Sequence, residues 1–169
     1  MPGYAIHLAI AEEYLLKHKN RIEDYDSFIE GVKFPDSVKD KSLTHYGNGS
    51  SNSNLVRFLE ENEIDTSFNR GYFLHLLSDY LFYNKYIECF SKDIYRDYDL
   101  MNKKVIKKYN VKITSDVEKY LHFIDEGEYK VFDFEYACKI IDEISSLDID
   151  QIKNEIRENP NNWLEFRNE

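Results

Sequence analysis

The chain has 169 residues, a single domain's length, with 42% hydrophobic and 32% charged side chains, a composition that excludes disorder and fibrous repeats. Twenty-two basic residues against 32 acidic ones leave a formal charge of −10. Such a surface repels phosphate backbones and anionic lipid heads, which excludes a general nucleic-acid-coating or membrane-surface role but not a local pocket for one phosphate.

The two cysteines, Cys89 and Cys138, are too few for a disulfide framework and read as reduced thiols of a cytoplasmic protein. No basic-then-apolar leader opens the chain, and no apolar run approaches the roughly 18–20 residues of a membrane span. Fourteen Tyr and 11 Phe against 6 Gly and 3 Pro favour helices over a turn-rich β fold.

In chain order, the spacing predicts a first helix over about Tyr4–Lys19, its end marked by the cations His18 and Lys19. A short helix over Tyr25–Val32 stops before Phe34-Pro35-Asp36, because proline disfavours helix in the residue before it. Residues Leu43–Asn54, rich in Gly, Ser and Asn, read as a long loop of the kind that tends to be functional. A helix over Asn54–Asn62 follows, with Ser53 as its cap. The longest helix is predicted from Thr66 to Ser91, capped by Asp65 or Thr66, with an apolar stripe through Tyr72, Leu76, Phe82 and Tyr83. Further helices are predicted over Tyr98–Tyr109, Ser115–Asp125 and Phe134–Ser145, then from Asp148 to about Glu158, with Asp133 and Asp148 as caps. The expectation is one all-α domain, 1–169, of six to eight helices.

Phosphate-loop, dinucleotide, nucleophile-elbow and C-x-x-C motifs are all missing, and no His is followed directly by Asp. What remains is a set of histidines and aspartates. His75 and Asp79, four apart, project from one face of the longest helix, which is the geometry two ligands need to share a metal ion. Their face is apolar, and a carboxylate is rarely buried unless it is paired or on a metal. The plain alternative is that Asp79 only hydrogen-bonds His75 or a tyrosine. His7 lies on the first helix beside Ala11 and Tyr14 and, alone, reads as a core histidine. Asp36 follows Pro35 at a turn, where Asp is common anyway. His45 opens the Gly/Ser/Asn loop and, alone, reads as exposed. Together the five stand in the order a polynuclear N/O metal site requires. Asp99 and Asn102 share a helix flank, where either could orient a ligating histidine or simply be solvated.

Pro2-Gly3-Tyr4-Ala5-Ile6-His7, Gly31-Val32-Lys33-Phe34-Pro35-Asp36, Thr44-His45-Tyr46 and Phe73-Leu74-His75-Leu76-Leu77-Ser78-Asp79 together resemble the bacterial zinc-dependent phospholipase C family and its uncharacterised relatives. The resemblance covers about the first hundred residues. It implies an all-helical fold of the phospholipase C and P1 nuclease type, and a metal cluster that hydrolyses phosphodiesters. It assigns His7, Asp36, His45, His75 and Asp79 as ligands. Asp36, His45, His75 and Asp79 would share one ion, and Asp79 would bridge to a second ion held with His7. The founding enzymes carry a further His and a His-x-x-x-Glu. The counterpart here, His122 with Glu126, is expected on the wet side of its helix, because Val117, Leu121 and Ile124 mark the apolar face. Those enzymes also ligate metal with a processed N-terminus, which is not expected here.

These readings converge on a metal-dependent hydrolase of phosphoric (di)esters of small or medium size, holding one or two zinc ions, with iron, manganese or nickel as alternatives. Asp36 is the expected catalytic base. Lys33, Lys41 and Arg70 are possible phosphate partners, and Tyr46, Tyr72 and Tyr83 possible pocket walls. The alternative is a helical binding or structural protein that keeps a metal as a staple without turnover.

Overall fold

Few helix breakers and a sustained 3.6-residue rhythm leave the backbone one way to pair its polar groups. The computed structural model, which describes residues 3–167, is accordingly helical, with no strand among those residues. Pro2, part of the family resemblance, and the chain's amino terminus lie outside the described residues.

Nine α-helices form among the described residues: α1 (Tyr4–Lys17), α2 (Tyr25–Lys33), α3 (Ser42–His45), α4 (Leu55–Glu61), α5 (Ser67–Leu81), α6 (Ile94–Lys108), α7 (Ser115–Glu118), α8 (Phe134–Ser145) and α9 (Ile149–Glu158). Single 3-10 turns occur at Phe34–Asp36, Ser50–Asn52 and Pro160–Trp163. The count exceeds the expected six to eight because the Leu43–Asn54 segment is not all loop: it contains the single turn of α3 and a 3-10 turn.

Five helices are started by a side chain that accepts an otherwise unpaired backbone N–H. These caps are Asp24, Asn54, Thr66, Asp133 and Asp148, each worth about 1 kcal/mol. The expected caps Thr66, Asp133 and Asp148 take these roles. Asn54 rather than Ser53 caps α4, since its side chain reaches Arg57 N.

Two predicted helices are shorter than the spacing suggested. Beyond Leu81, α5 loosens into a π turn, Phe82–Tyr86, and ends there instead of at Ser91. The Ser115–Asp125 helix stops at Glu118 because the chain beyond is held by other partners: Asn102 Nδ2 donates to His122 O, and Ile124 N donates to Asp99 O.

The central element is α5. Every residue from Gly71 to Tyr80 is buried, so the helix is surrounded, not striped. It packs most closely against α2, and two glycines permit this. A Cβ on Gly31 would lie 2.0 Å from Phe68 O, and one on Gly71 would lie 2.0 Å from Phe28 O. Each glycine therefore receives a carbonyl of the opposite helix. The helix α1 packs on both members of this pair and α4 on α5, while α6 and α8 pack on α1, and the ring of Tyr98 on α6 lies against Gly3.

A second constraint was not anticipated from sequence. Asp97, fully buried on α6, accepts backbone N–H groups from Lys130, Val131 and Phe132 at 2.9, 2.7 and 3.2 Å. One carboxylate thus ties the segment before α8 to α6. No described helix is long and apolar enough to cross a membrane.

The α2–α5 contact sets a test. Gly71→Ala places a methyl group where a backbone carbonyl stands, and overpacking of this kind costs about 1–3 kcal/mol. We expect a drop of that size in urea unfolding at unchanged helix content. Equal stability would mean the helices separate freely.

Candidate metal centre

The local sequence positions each ligating side chain for a physical reason. His7 sits on the buried face of α1, among Ala9, Ile10 and Ala11. Pro35 starts the 3-10 turn that turns Asp36 inward. His45 ends α3, where Tyr46 adopts the left-handed conformation (φ 60°) and stops the helix. His75 and Asp79 lie one turn apart on α5. The structure brings all five together, and none is more than 5% exposed.

The His7 and His75 rings stack in parallel with centroids 3.8 Å apart, and His45 meets His75 edge-on at 5.4 Å. His7 Nε2 lies 3.1 Å from Asp79 Oδ1, and His45 Nε2 lies 3.0 Å from Asp79 Oδ2. His75 Nε2 is 3.5 Å from Asp79 Oδ2 and 3.8 Å from Asp36 Oδ2.

Backbone carbonyls decide which nitrogen holds hydrogen. Val32 O lies 2.7 Å from His75 Nδ1, and Lys41 O lies 3.1 Å from His45 Nδ1. A carbonyl only accepts, so each Nδ1 donates, and in the neutral ring each Nε2 presents a lone pair. Those lone pairs face the carboxylate oxygens of Asp36 and Asp79, acceptor against acceptor. Six buried atoms of these five residues have no hydrogen-bond partner: His7 Nδ1, both Asp36 oxygens, His45 Nε2, His75 Nε2 and Asp79 Oδ2. Unpaired buried acceptors each cost about 1–3 kcal/mol, so the cluster is built to take a donor or a cation: a proton, a water or a metal ion.

The geometry suits an ion. His7, His75 and Asp79 form one group able to hold it, and Asp36, His45 and His75 form another. A tetrahedral ion with bonds of about 2.0–2.2 Å spaces its ligands roughly 3.3–3.6 Å apart, and within the two groups the histidine nitrogens lie 3.1–3.8 Å from the carboxylate oxygens. The two groups share His75, whereas the family resemblance makes Asp79 the shared residue.

Protonation follows the same charges. Burial opposes an imidazolium at His75, but Asp36 and then Asp79 outweigh it and raise its pKa above the usual 6.5. Burial, then repulsion from His75, holds His7 below that value. Burial opposes the charge on Asp79, yet His75 and His7 keep it ionised well below the usual carboxylate range.

The orienting role expected of Asp99 or Asn102 falls instead to the Val32 and Lys41 carbonyls, and Thr44, which donates to Pro35 O, lies 3.2 Å from His45 Nδ1. His122 is exposed and belongs to neither metal-binding group. Of the three possible phosphate partners, Lys33 is tied to Glu30 and Asp116, and Arg70 to Asp150. Lys41 alone adjoins the site, with Nζ 3.4 Å from Asp36 Oδ1. Tyr46 and Tyr72 pack on Phe58 away from the opening.

The opening is a cleft of about 300 Å³ that reaches Asp36 and is walled by Tyr4, Tyr95, Tyr98 and Tyr120. A larger cleft of about 650 Å³, between Leu81, Tyr86, Asp148 and Trp163, contains none of the five. The sequence reading had missed the tyrosines of the smaller cleft, whose residues converge only through tertiary packing. Compared with known proteins, the chain matches no family model, no curated protein and no solved structure.

Two outcomes test the cluster. A metal ion must displace the proton that the carboxylates hold on His75, so affinity should climb as pH rises through a value above 6.5, by up to about tenfold per pH unit for one displaced proton. In the metal-free protein that same raised pKa stabilises at low pH and is lost as pH rises, whereas the depressed Asp79 stabilises above about pH 4 and is lost on acidification. Calorimetric Zn²⁺ titration in two buffers of different ionisation enthalpy counts the released proton, and a pH-independent affinity would argue against this arrangement. Separately, Asp79→Asn should abolish stoichiometric metal, read by elemental emission, at preserved helix content, whereas His122→Ala should leave it unchanged.

Proposed function

We propose that this protein is a metal-dependent hydrolase of small phosphoric esters, with zinc the ion that its imidazole and carboxylate donors suit best; iron, manganese and nickel share the donor preference. The observation that carries the reading is the facing of buried, unpaired acceptors, the His45 and His75 imidazoles and the Asp36 and Asp79 carboxylates, beside a cleft that Asp36 lines. The resemblance to the zinc-dependent phospholipase C family supports the same chemistry.

When bound, the ion supplies a Lewis acid and a water whose pKa falls to about 7. The protein's own groups do the remaining work. The Val32 and Lys41 carbonyls hold the His75 and His45 rings so that Nε2 faces inward. Asp36 is the one member of the cluster that reaches the cleft wall, and neither of its oxygens has a hydrogen-bond partner. It is therefore placed to take the proton of an attacking water. Lys41 Nζ, beside it, donates to Asp36 O and Val38 O and presents positive charge to a phosphoryl oxygen.

One observation favours a second reading, in which the ion is a structural staple: His7, His45, His75 and Asp79 are each no more than 2% exposed, as in closed sites. Turnover separates the two. On the hydrolase reading, the metal-loaded protein cleaves bis(p-nitrophenyl) phosphate, and Lys41→Met slows it about 10- to 100-fold, the loss of one charged hydrogen bond, at unchanged metal content. Full metal with no cleavage of chromogenic mono- or diesters would leave the staple reading.

A further inference from the structure

Among the described residues, Asn102 carries the one unpartnered buried side-chain atom that lies outside the five-residue cluster. It lies on α6, is 4% exposed and lines the wall of the same cleft as Asp36. Its Nδ2 donates to His122 O at 3.0 Å. That bond fixes the orientation of the amide, since a carbonyl cannot donate to Oδ1. Asn102 Oδ1 is then a buried acceptor with no partner, a state that costs about 1–3 kcal/mol unless something donates to it. Asp99, three residues earlier on the same flank of α6, lines the cleft too. Burial raises its pKa, while His122 and then Arg96 pull it back down. Lys41, which also lines the cleft, gives two of its three hydrogens to carbonyls, and its Nζ lies 3.4 Å from Asp36 Oδ1.

The cleft lining therefore carries two kinds of chemistry. Asp36 of the metal-binding cluster and Lys41 line it, and so do the acceptors Asp99 and Asn102, among tyrosine rings of which Tyr4 and Tyr120 stack at 5.5 Å. At about 300 Å³ it stands at the small end of ligand clefts. Building on the hydrolase reading, we propose that Asn102 and Asp99 form a subsite for a hydrogen-bond donor, a hydroxyl or a primary ammonium, on the alcohol part of the ester. The preferred substrate is then a small polar phosphoester. An alcohol without donors, including a quaternary ammonium, leaves Asn102 Oδ1 unpaired and is discriminated against.

The test compares three p-nitrophenyl phosphodiesters: those of glycerol, ethanolamine and choline. The first two carry a donor, and the choline ester matches the ethanolamine ester in charge but has none. We expect kcat/KM for at least one donor-bearing ester to exceed that for the choline ester by about tenfold or more, one hydrogen bond's worth. Asn102→Leu should collapse that ratio. Asp99→Ala, a change at a partly exposed position that keeps the Asn102–His122 bond, should lower it more for ethanolamine than for glycerol if an ammonium is the donor, and equally if a hydroxyl is. A ratio near one in the native protein, or a ratio that survives Asn102→Leu, overturns the proposal. If no ester is cleaved, the hydrolase reading fails separately. Calorimetric binding of glycerol phosphate to the zinc-loaded protein then decides the subsite: affinity about tenfold weaker in Asn102→Leu supports it, and equal affinity overturns it.

Discussion

The site depends on how closely two helices approach. Gly31 and Gly71 each receive a carbonyl of the other's helix, and no larger residue fits at either point without moving backbone. This contact brings the end of α2 against α5 near His75. Val32 O thereby reaches His75 Nδ1 at 2.7 Å. Pro35 and Asp36 follow within four residues, so the same approach that orients one imidazole also delivers one carboxylate. A small change in the spacing of α2 and α5 would alter the hydrogen bond, the ring orientation and the Asp36 position together.

The remaining members arrive by independent routes, and backbone groups fix them as well. The single turn α3 carries Thr44 and His45, and Lys41 directly precedes it. Tyr72 holds this turn by donating to Thr44 O at 2.6 Å, and Lys41 holds its other end through Asp36 O and Val38 O. Lys41 therefore has two duties, closing the loop and placing charge at the cleft. The outcome is a cluster whose polar side chains are oriented by carbonyls on the outside and unpaired on the inside, where a cation would sit.

Much of this was legible in the chain. Helical class followed from the scarcity of glycine and proline, and the caps Asp133 and Asp148 stood where their short polar side chains meet the first turn. His75 and Asp79 stood out because their four-residue spacing lies in an apolar run. His45 did not, because a histidine beside Gly, Ser and Asn has the signature of an exposed loop, yet it is fully buried. The period of Val117, Leu121 and Ile124 mimicked a helix that tertiary hydrogen bonds from α6 interrupt after Glu118. Asp97 carried no local signal at all, since its partners are backbone groups 33–35 residues away; Asn102 stood out beside Asp99 on one helix flank, but its partner, His122 O, lies 20 residues on. The π turn after Leu81 likewise has no marker in composition.

The distances along the chain between the ligands bear on how the molecule is made. His75 and Asp79 are neighbours in one helix, but His7 meets Asp79 across 72 residues. Contacts of such separation form late, after the entropy of closing the intervening loops has been spent. In an unfolded chain these side chains are dispersed, so a metal ion would bind the assembled cluster far better than the open chain. Capture of an ion there would belong to the end of folding, and its release would require α1 and α5 to part. A metal ion held this way would slow unfolding more than it speeds folding and would act as a kinetic lock.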